Sequence, residues 1–341
     1  MAIRAAALLV AGVLVGSLVA CNDDPGSDGP EGGSGDALVD ARPESVTGSE
    51  MWVQLPTGRL TVTVGEPVTT IPADQSHARE DGVAQEITAD DGQVFLPIEI
   101  EPEPGAGVPG VIYQSATRED TVQPEVSIRV GDEEFPLGTT EEVGTQPVYA
   151  RVDESDGSPI GVAVDFAGVT QSVDQDGARE TGAAAGLYDL PDELEQRPCR
   201  GAWTTDPEAT VTVDCTYVVG HYPYLAGLGW AHEQEPGRTW AFVATTTALG
   251  SADLAGGRRC DAVGLEGSGT AALDGEDAAA DLMTVNTPTT ADGSFVSLSQ
   301  AFPVEEGATR HDLTVERTYP CRTGGEAREL RLTTEFPIDA N

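Results

Sequence analysis

The sequence predicts an all-β fold: two antiparallel β-sandwiches in tandem, following a signal peptide and a flexible linker. Three observations carry this prediction. Short runs alternating apolar and polar residues recur along the chain, LTVTV at 60–64, VSIRV at 126–130, VTVDC at 211–215 and LTVER at 313–317. That is the period of strands with one wet face. Forty glycines and 23 prolines in 341 residues leave few places for a long helix. Finally, the chain repeats itself: Val62–Val64 falls against Val211–Val213, Gly92 against Gly237, Gly131 against Gly275, Val152 against Val304 and Val164 against Val315. The offsets are 149, 145, 144, 152 and 151, a drift expected of loop insertions between duplicated strands.

Taken in chain order, the first element is a signal. Arg4 is its only charge, and Ala5–Ala20 is an apolar run too short for a mature membrane span, so residues 1–20 read as a signal peptide. Its end, Leu18, Val19, Ala20 and Cys21, resembles the lipobox of bacterial lipoproteins. The resemblance implies cleavage before Cys21 and a diacylglycerol on its sulfur. Asn22–Asp36 holds Gly, Ser, Pro, Asp and Glu without a large apolar residue, too little to offset chain entropy by burial. Residues 21–48 are therefore assigned to a lipidated, flexible tether.

Residues 49–182 form the first predicted sandwich, its strands parted by turn signals such as DDG at 90–92, VGDEE at 130–134 and DESDG at 153–157. Residues 183–197 read as a connector whose one helical stretch is Pro191–Arg197, with Pro at a first helical position and acids behind it. Residues 198–341 form the second sandwich. The order LTVTV, DGQVFLPIEI, IRVGDEEFPL and VYARVDESDGSPIGVAVDFAG, over roughly residues 52–175, resembles immunoglobulin-like domains of secreted lipoproteins from high-GC Gram-positive bacteria. That resemblance implies an envelope-located, non-catalytic fold and names no ligand.

Of the five cysteines, four lie beyond residue 198, an even number that reads as two disulfides in an exported chain. Cys199 and Cys215 are each eight residues from Pro207, so a turn centred there sets them opposite one another. Cys260 and Cys321 remain for each other, tying the middle of the second sandwich to its last strands. Neither CxxC pairs nor zinc-ligand spacing occurs.

Charge narrows the partners. The chain carries 18 basic and 58 acidic residues, a formal charge of −40, which opposes binding to nucleic acid or anionic lipid headgroups. The match Gly105, Gly107 and Gly110 to a dinucleotide fingerprint lacks its context, because Pro109 and the run VIY at 111–113 read as strand rather than helix. No GxSxG, HExxH, Walker loop or SxxK is present. Acidic turns at Asp90–Asp91, Asp153–Asp156 and Asp174–Asp176 carry hard oxygens suited to calcium, without matching its twelve-residue loop.

One stretch concentrates aromatics: His221–Trp240 holds two of four histidines, two of four tryptophans and two of seven tyrosines. Tyr222, Tyr224 and Trp230 are the candidate ligand surface, for a sugar ring or a partner protein. The competing readings are that these side chains cover one end of a sandwich, with Trp240 in its core, or that His221 and His232 hold a metal. The sequence as a whole points to a lipid-anchored, extracytoplasmic binding or scaffolding module of the cell envelope, non-catalytic and without cofactor, meeting the membrane through its lipid and an envelope protein or glycan through its fold. A transporter's solute-binding lipoprotein is the first alternative. An envelope hydrolase using paired carboxylates is the second.

Overall fold

The computed structural model describes residues 37–340 except 77–78, 81–82, 117–121, 155–157, 261–266, 291–292 and 325. Cys21, the signal peptide, tether residues 22–36, His77 and Asp156 lie outside the described residues. The described chain is all-β and antiparallel, and among the described residues no helix is long and apolar enough to cross a membrane.

In the first half, β1 (Leu38–Val39), β2 (Gly48–Leu55), β3 (Gly58–Gly65), β4 (Gln93–Pro104), β5 (Glu125–Val130), β6 (Glu133–Thr139), β7 (Val148–Asp153), β8 (Ile160–Phe166), β9 (Val169–Asp174) and β10 (Arg179–Glu180) build two sheets. Their orders are β1-β7-β4-β3-β2 and β6-β5-β8-β9-β10. Alternation does the work, with Val126, Ile128 and Val130 of β5 facing Leu60, Val62 and Val64 of β3 within one buried cluster. Residues 37–46, placed with the tether, are instead part of this fold. Leu38 and Val39 pair with Ala150 and Tyr149, and Ala41 is buried.

The second half contains β11 (Arg197–Pro198), β12 (Thr204–Asp206), β13 (Ala209–Tyr222), β14 (Arg238–Leu254), β15 (Ser268–Leu273), β16 (Glu276–Asp277), β17 (Ala280–Thr290), β18 (Gly293–Glu305), β19 (Arg310–Thr323) and β20 (Glu326–Asp339). Its sheets run β11-β13-β14-β18-β17 and β12-β20-β19-β15-β16. The internal repeat therefore extends to topology. The adjacent strands β3-β4-β7 have their counterparts in β13-β14-β18, and β6-β5-β8-β9 in β16-β15-β19-β20.

Cross-strand pairing tests the repeat's register. Val94 pairs Val152 as Thr239 pairs Val304, which keeps the offsets 145 and 152. Val126 pairs Val164 as Ala271 pairs Val315, which keeps 151 and moves 144 to 145. Val64 pairs Ile98 as Val219 pairs Val243, so the first strand matches at 155 rather than 149, and Gly65 meets Gly220. Strand β13 is fourteen residues long and alternates almost throughout, so pattern alone leaves its register open by even steps.

Two local readings change. Pro191–Arg197 is not helical. The segment has one apolar side chain, Leu194, and a seven-residue helix is marginal without a packed face. In extended form it lays Leu194 over Gly220, where any Cβ would collide with it. The run after Pro109 is a helix, α1 (Gly110–Ala116), rather than a strand. It follows a loop closed on its own sheet: Gln54 Nε2 donates to Ala106 O at 2.8 Å, and a Cβ on Gly107 would strike the Gln54 side chain.

Both disulfides form as paired from the sequence, Cys199–Cys215 and Cys260–Cys321. The first lies on the expected register, since Arg197 pairs Tyr217 and Pro198 pairs Thr216. The chain between is not a simple hairpin, however, because β12 crosses to the opposite sheet and pairs with β20.

The interior of the second half is split by a polar layer. One apolar cluster gathers Tyr217, Val243, Leu313 and Phe336, another Leu249, Leu298, Tyr319 and Leu332. Between them lies the fully buried Arg317, donating from Nη2 to Thr245 Oγ1 at 2.6 Å and from Nη1 to the carbonyls of Thr270 and Glu316. Burial lowers its pKa to about 10, no salt bridge reaches it among the described residues, and its Nε has no hydrogen-bond partner. A buried charge without an anion costs more than its hydrogen bonds return. Arg317→Met combined with Thr245→Val is therefore expected to stabilise the protein by about 1–3 kcal/mol, read from the urea midpoint. Arg317→Ala, which leaves a void, is expected to destabilise it.

Candidate functional site

The two halves meet along a seam built by the aromatic stretch. Tyr222, Trp230, Trp240 and Phe242 belong to the same buried cluster as Val53, Leu55 and Phe166 of the first half. Tyr222 donates its hydroxyl to Pro56 O at 2.7 Å, and Trp230 donates Nε1 to Phe166 O at 3.0 Å. Phe166 meets Tyr224 edge-on, with ring centroids 5.2 Å apart, and Tyr224 meets Trp230 at the same distance.

These contacts correct the sequence reading of a ligand surface. Tyr222 and Trp230 are 0 % exposed and Tyr224 is 5 % exposed. Their rings cover the end of the first sandwich, and the polar tips of Tyr222 and Trp230 are taken by its backbone, so burial keeps all three rings from a sugar or a partner. Burial raises the Tyr222 pKa. The short ribbon Tyr224–Leu225 with Gly229–Trp230 bends the chain so that all three rings reach across.

Beside the seam lies a cleft of about 240 Å³. One wall is the 3-10 turn Gly182–Leu187, which carries the chain out of the first half. The other comes from His221, Pro223, His232, Arg238, Thr239 and Glu306 of the second half. Small residues in the turn let it approach closely, and Gly186 lies against Pro223.

His221 is the cleft end of a hydrogen-bonded chain that reaches into the second sandwich. Asp274 sits at a left-handed position, φ 53°, in the tight turn between β15 and β16, followed by Gly275 at φ 81°. That turn aims its carboxylate at β19. Oδ1 accepts the Asp312 amide at 2.8 Å, and Oδ2 accepts His311 Nδ1–H at 2.7 Å. Burial raises the Asp274 pKa, but the Asp312 amide and the His311 ring outweigh it, and the net shift is downward. An ionised carboxylate only accepts, so His311 Nδ1 carries a hydrogen toward Asp274, and Nε2 is the ring nitrogen that faces His221. That nitrogen lies 3.4 Å from His221 Nε2, so one hydrogen between the two rings links His221 to the chain.

His311 is 3 % exposed and locked. Burial first, and His311 second, lower the His221 pKa to about 4. The sign follows by linkage. The unfolded chain binds this proton near pH 6.5 and the folded chain only near pH 4, so the contribution of His221 to stability is complete above about pH 6.5 and is lost as pH falls through 4. The arrangement thus presents a neutral imidazole on the cleft wall with a proton relay behind it.

The pairing His221–His311–Asp274 was not visible in the sequence, where its members are scattered over ninety residues. A metal between His221 and His232 finds no support, since among the described residues no three His, Cys, Asp or Glu side chains gather to hold an ion. In the acidic turns, Asp174 Oδ1 accepts the amides of Asp176 and Ala178, and Asp153 Oδ1 accepts Gln93 Nε2 from a neighbouring strand. Comparisons with family models, with curated proteins and with solved structures find no match to this chain.

Proposed function

We propose that this chain is a lipid-anchored protein of the extracytoplasmic face of the membrane, held through Cys21, and that it acts as a non-catalytic binding or scaffolding module taking its ligand in the seam cleft. The observation that carries the reading is the construction of the cleft. Its walls come from both halves of the fold, and a concave site at such a junction is where binding sites concentrate. Its lining mixes an arginine, a glutamate and two imidazoles with small apolar residues, suited to a polar group on an envelope protein or glycan. The lipobox residues Leu18–Cys21, the immunoglobulin-like order of strands over residues 52–175 and the disulfides support an exported location. The net charge of −40 argues against nucleic acid.

Two measurements test the proposal. The full chain expressed in a lipoprotein-processing bacterium is expected to partition into detergent and to carry acyl chains on Cys21. Cys21→Ala is expected to leave the membrane fraction, and a Cys21→Ala chain that stays there would overturn the anchor. A photo-crosslinking side chain at Ala183 on the cleft is expected to capture an envelope component that one at Asp214, exposed on β13, does not. Equal capture at both would overturn the site.

A further inference from the structure

We propose that Asp274, His311 and His221 form an acid-operated latch on the seam: proton uptake by the two facing imidazoles drives His221 toward the cleft and releases Tyr222–Trp230 from the first half. This inference concerns the fold's response to protons and does not depend on the lipid anchor or on the ligand of the cleft.

The geometry supplies each part. One hydrogen lies between the nitrogens 3.4 Å apart and holds them together. A proton added to each ring sets two cations against each other across that gap, in a partly buried place where screening is weaker than in bulk water. His311 cannot retreat, because it is buried and its other nitrogen is fixed by Asp274 at 2.7 Å. His221 can, because its ring forms part of the cleft wall. The titratable and charged groups around it are His311 on β19, Asp274 on the β15–β16 turn, and His232, Arg238 and Glu306 around the cleft. Arg238 is paired with Glu235 at 3.0 Å, which leaves Glu306 as the cleft anion toward which a charged His221 ring turns. Transmission is direct, since the next residue, Tyr222, holds Pro56 of the first half and Pro223 rests on Gly186.

The rest of the molecule responds in the opposite sense. Acid neutralises a surface with 58 carboxylates against 18 basic residues and relieves its self-repulsion. Loosening in acid confined to the seam is therefore the signature of the latch.

Hydrogen exchange of the full chain, corrected for intrinsic rates, tests this. Between pH 7 and pH 4, protection over residues 221–231 is expected to fall about tenfold or more and to recover on neutralisation, while β4 stays protected. His221→Gln is expected to keep its protection at pH 4. Asp274→Asn, which removes the anion favouring the second proton, is expected to move the midpoint down by about one pH unit. Equal protection at both pH values in the parent chain, an unchanged loss in His221→Gln, or an unmoved midpoint in Asp274→Asn would each overturn the latch. The last applies even where the first variant fails to fold.

Discussion

Trp230→Ala is expected to destabilise both halves of the protein together, by about 4 kcal/mol. The ring is fully buried and donates to Phe166 O, so truncation removes a large apolar area, opens a cavity and deletes a hydrogen bond to the first half. The site cannot easily collapse, because Tyr224 and Phe166 pack edge-on around it and are themselves fixed. In thermal unfolding the loss corresponds to roughly 6–10 °C. Near-UV circular dichroism and tryptophan emission, which sample Trp52 in the first half together with Trp203 and Trp240 in the second, are expected to shift by the same amount in one transition. Tyr222→Phe, which removes only the hydroxyl bond to Pro56 O, is expected to cost about 1 kcal/mol in the same assay.

Removing Cys260–Cys321 is expected to have a comparable effect. The bridge closes 61 residues, for which the chain-entropy model gives about 4 kcal/mol at 25 °C. It also joins opposite sheets, since the Cys260 amide donates to Ala252 O on β14 while Cys321 belongs to β19. The Cys260→Ser, Cys321→Ser double variant should lower the urea midpoint accordingly. Cys199–Cys215 closes 16 residues and contributes about 3 kcal/mol by the same model, so its loss is the milder one. Together they make up a large share of the stability of an ordinary protein. The fully reduced chain is expected to unfold at a lower urea midpoint than either single-bridge variant.

What the sequence revealed depended on whether the signal was local. Alternation in LTVTV and VSIRV marks strands because each strand buries one face, and those residues do so here. The disulfides were legible because Cys199 and Cys215 share a register that survives even though β12 crosses to the other sheet. The strand order of the repeat was legible too, although the long strand β13 slid by six residues against its counterpart because Val and Thr alternate along it.

The aromatic stretch failed for a different reason. Tyr222, Tyr224 and Trp230 have the composition of a binding surface, and composition does not say which surface they face. Here they face the first sandwich. The relay was hidden because Asp274 reaches His311 only through a tight turn, and His311 reaches His221 only through the packing of β19 against β13. The helix after Pro109 escaped because VIY favours strands in isolation, whereas Ile112 in this turn packs into the first-half cluster.

Because the second half's aromatics complete the first half's core, the two halves should unfold as one body. Scanning calorimetry of the disulfide-intact chain tests it most directly. A single transition is expected, with calorimetric and van't Hoff enthalpies that agree, displaced as a whole by Trp230→Ala. Two separable transitions, only one of them moved by that substitution, would contradict it.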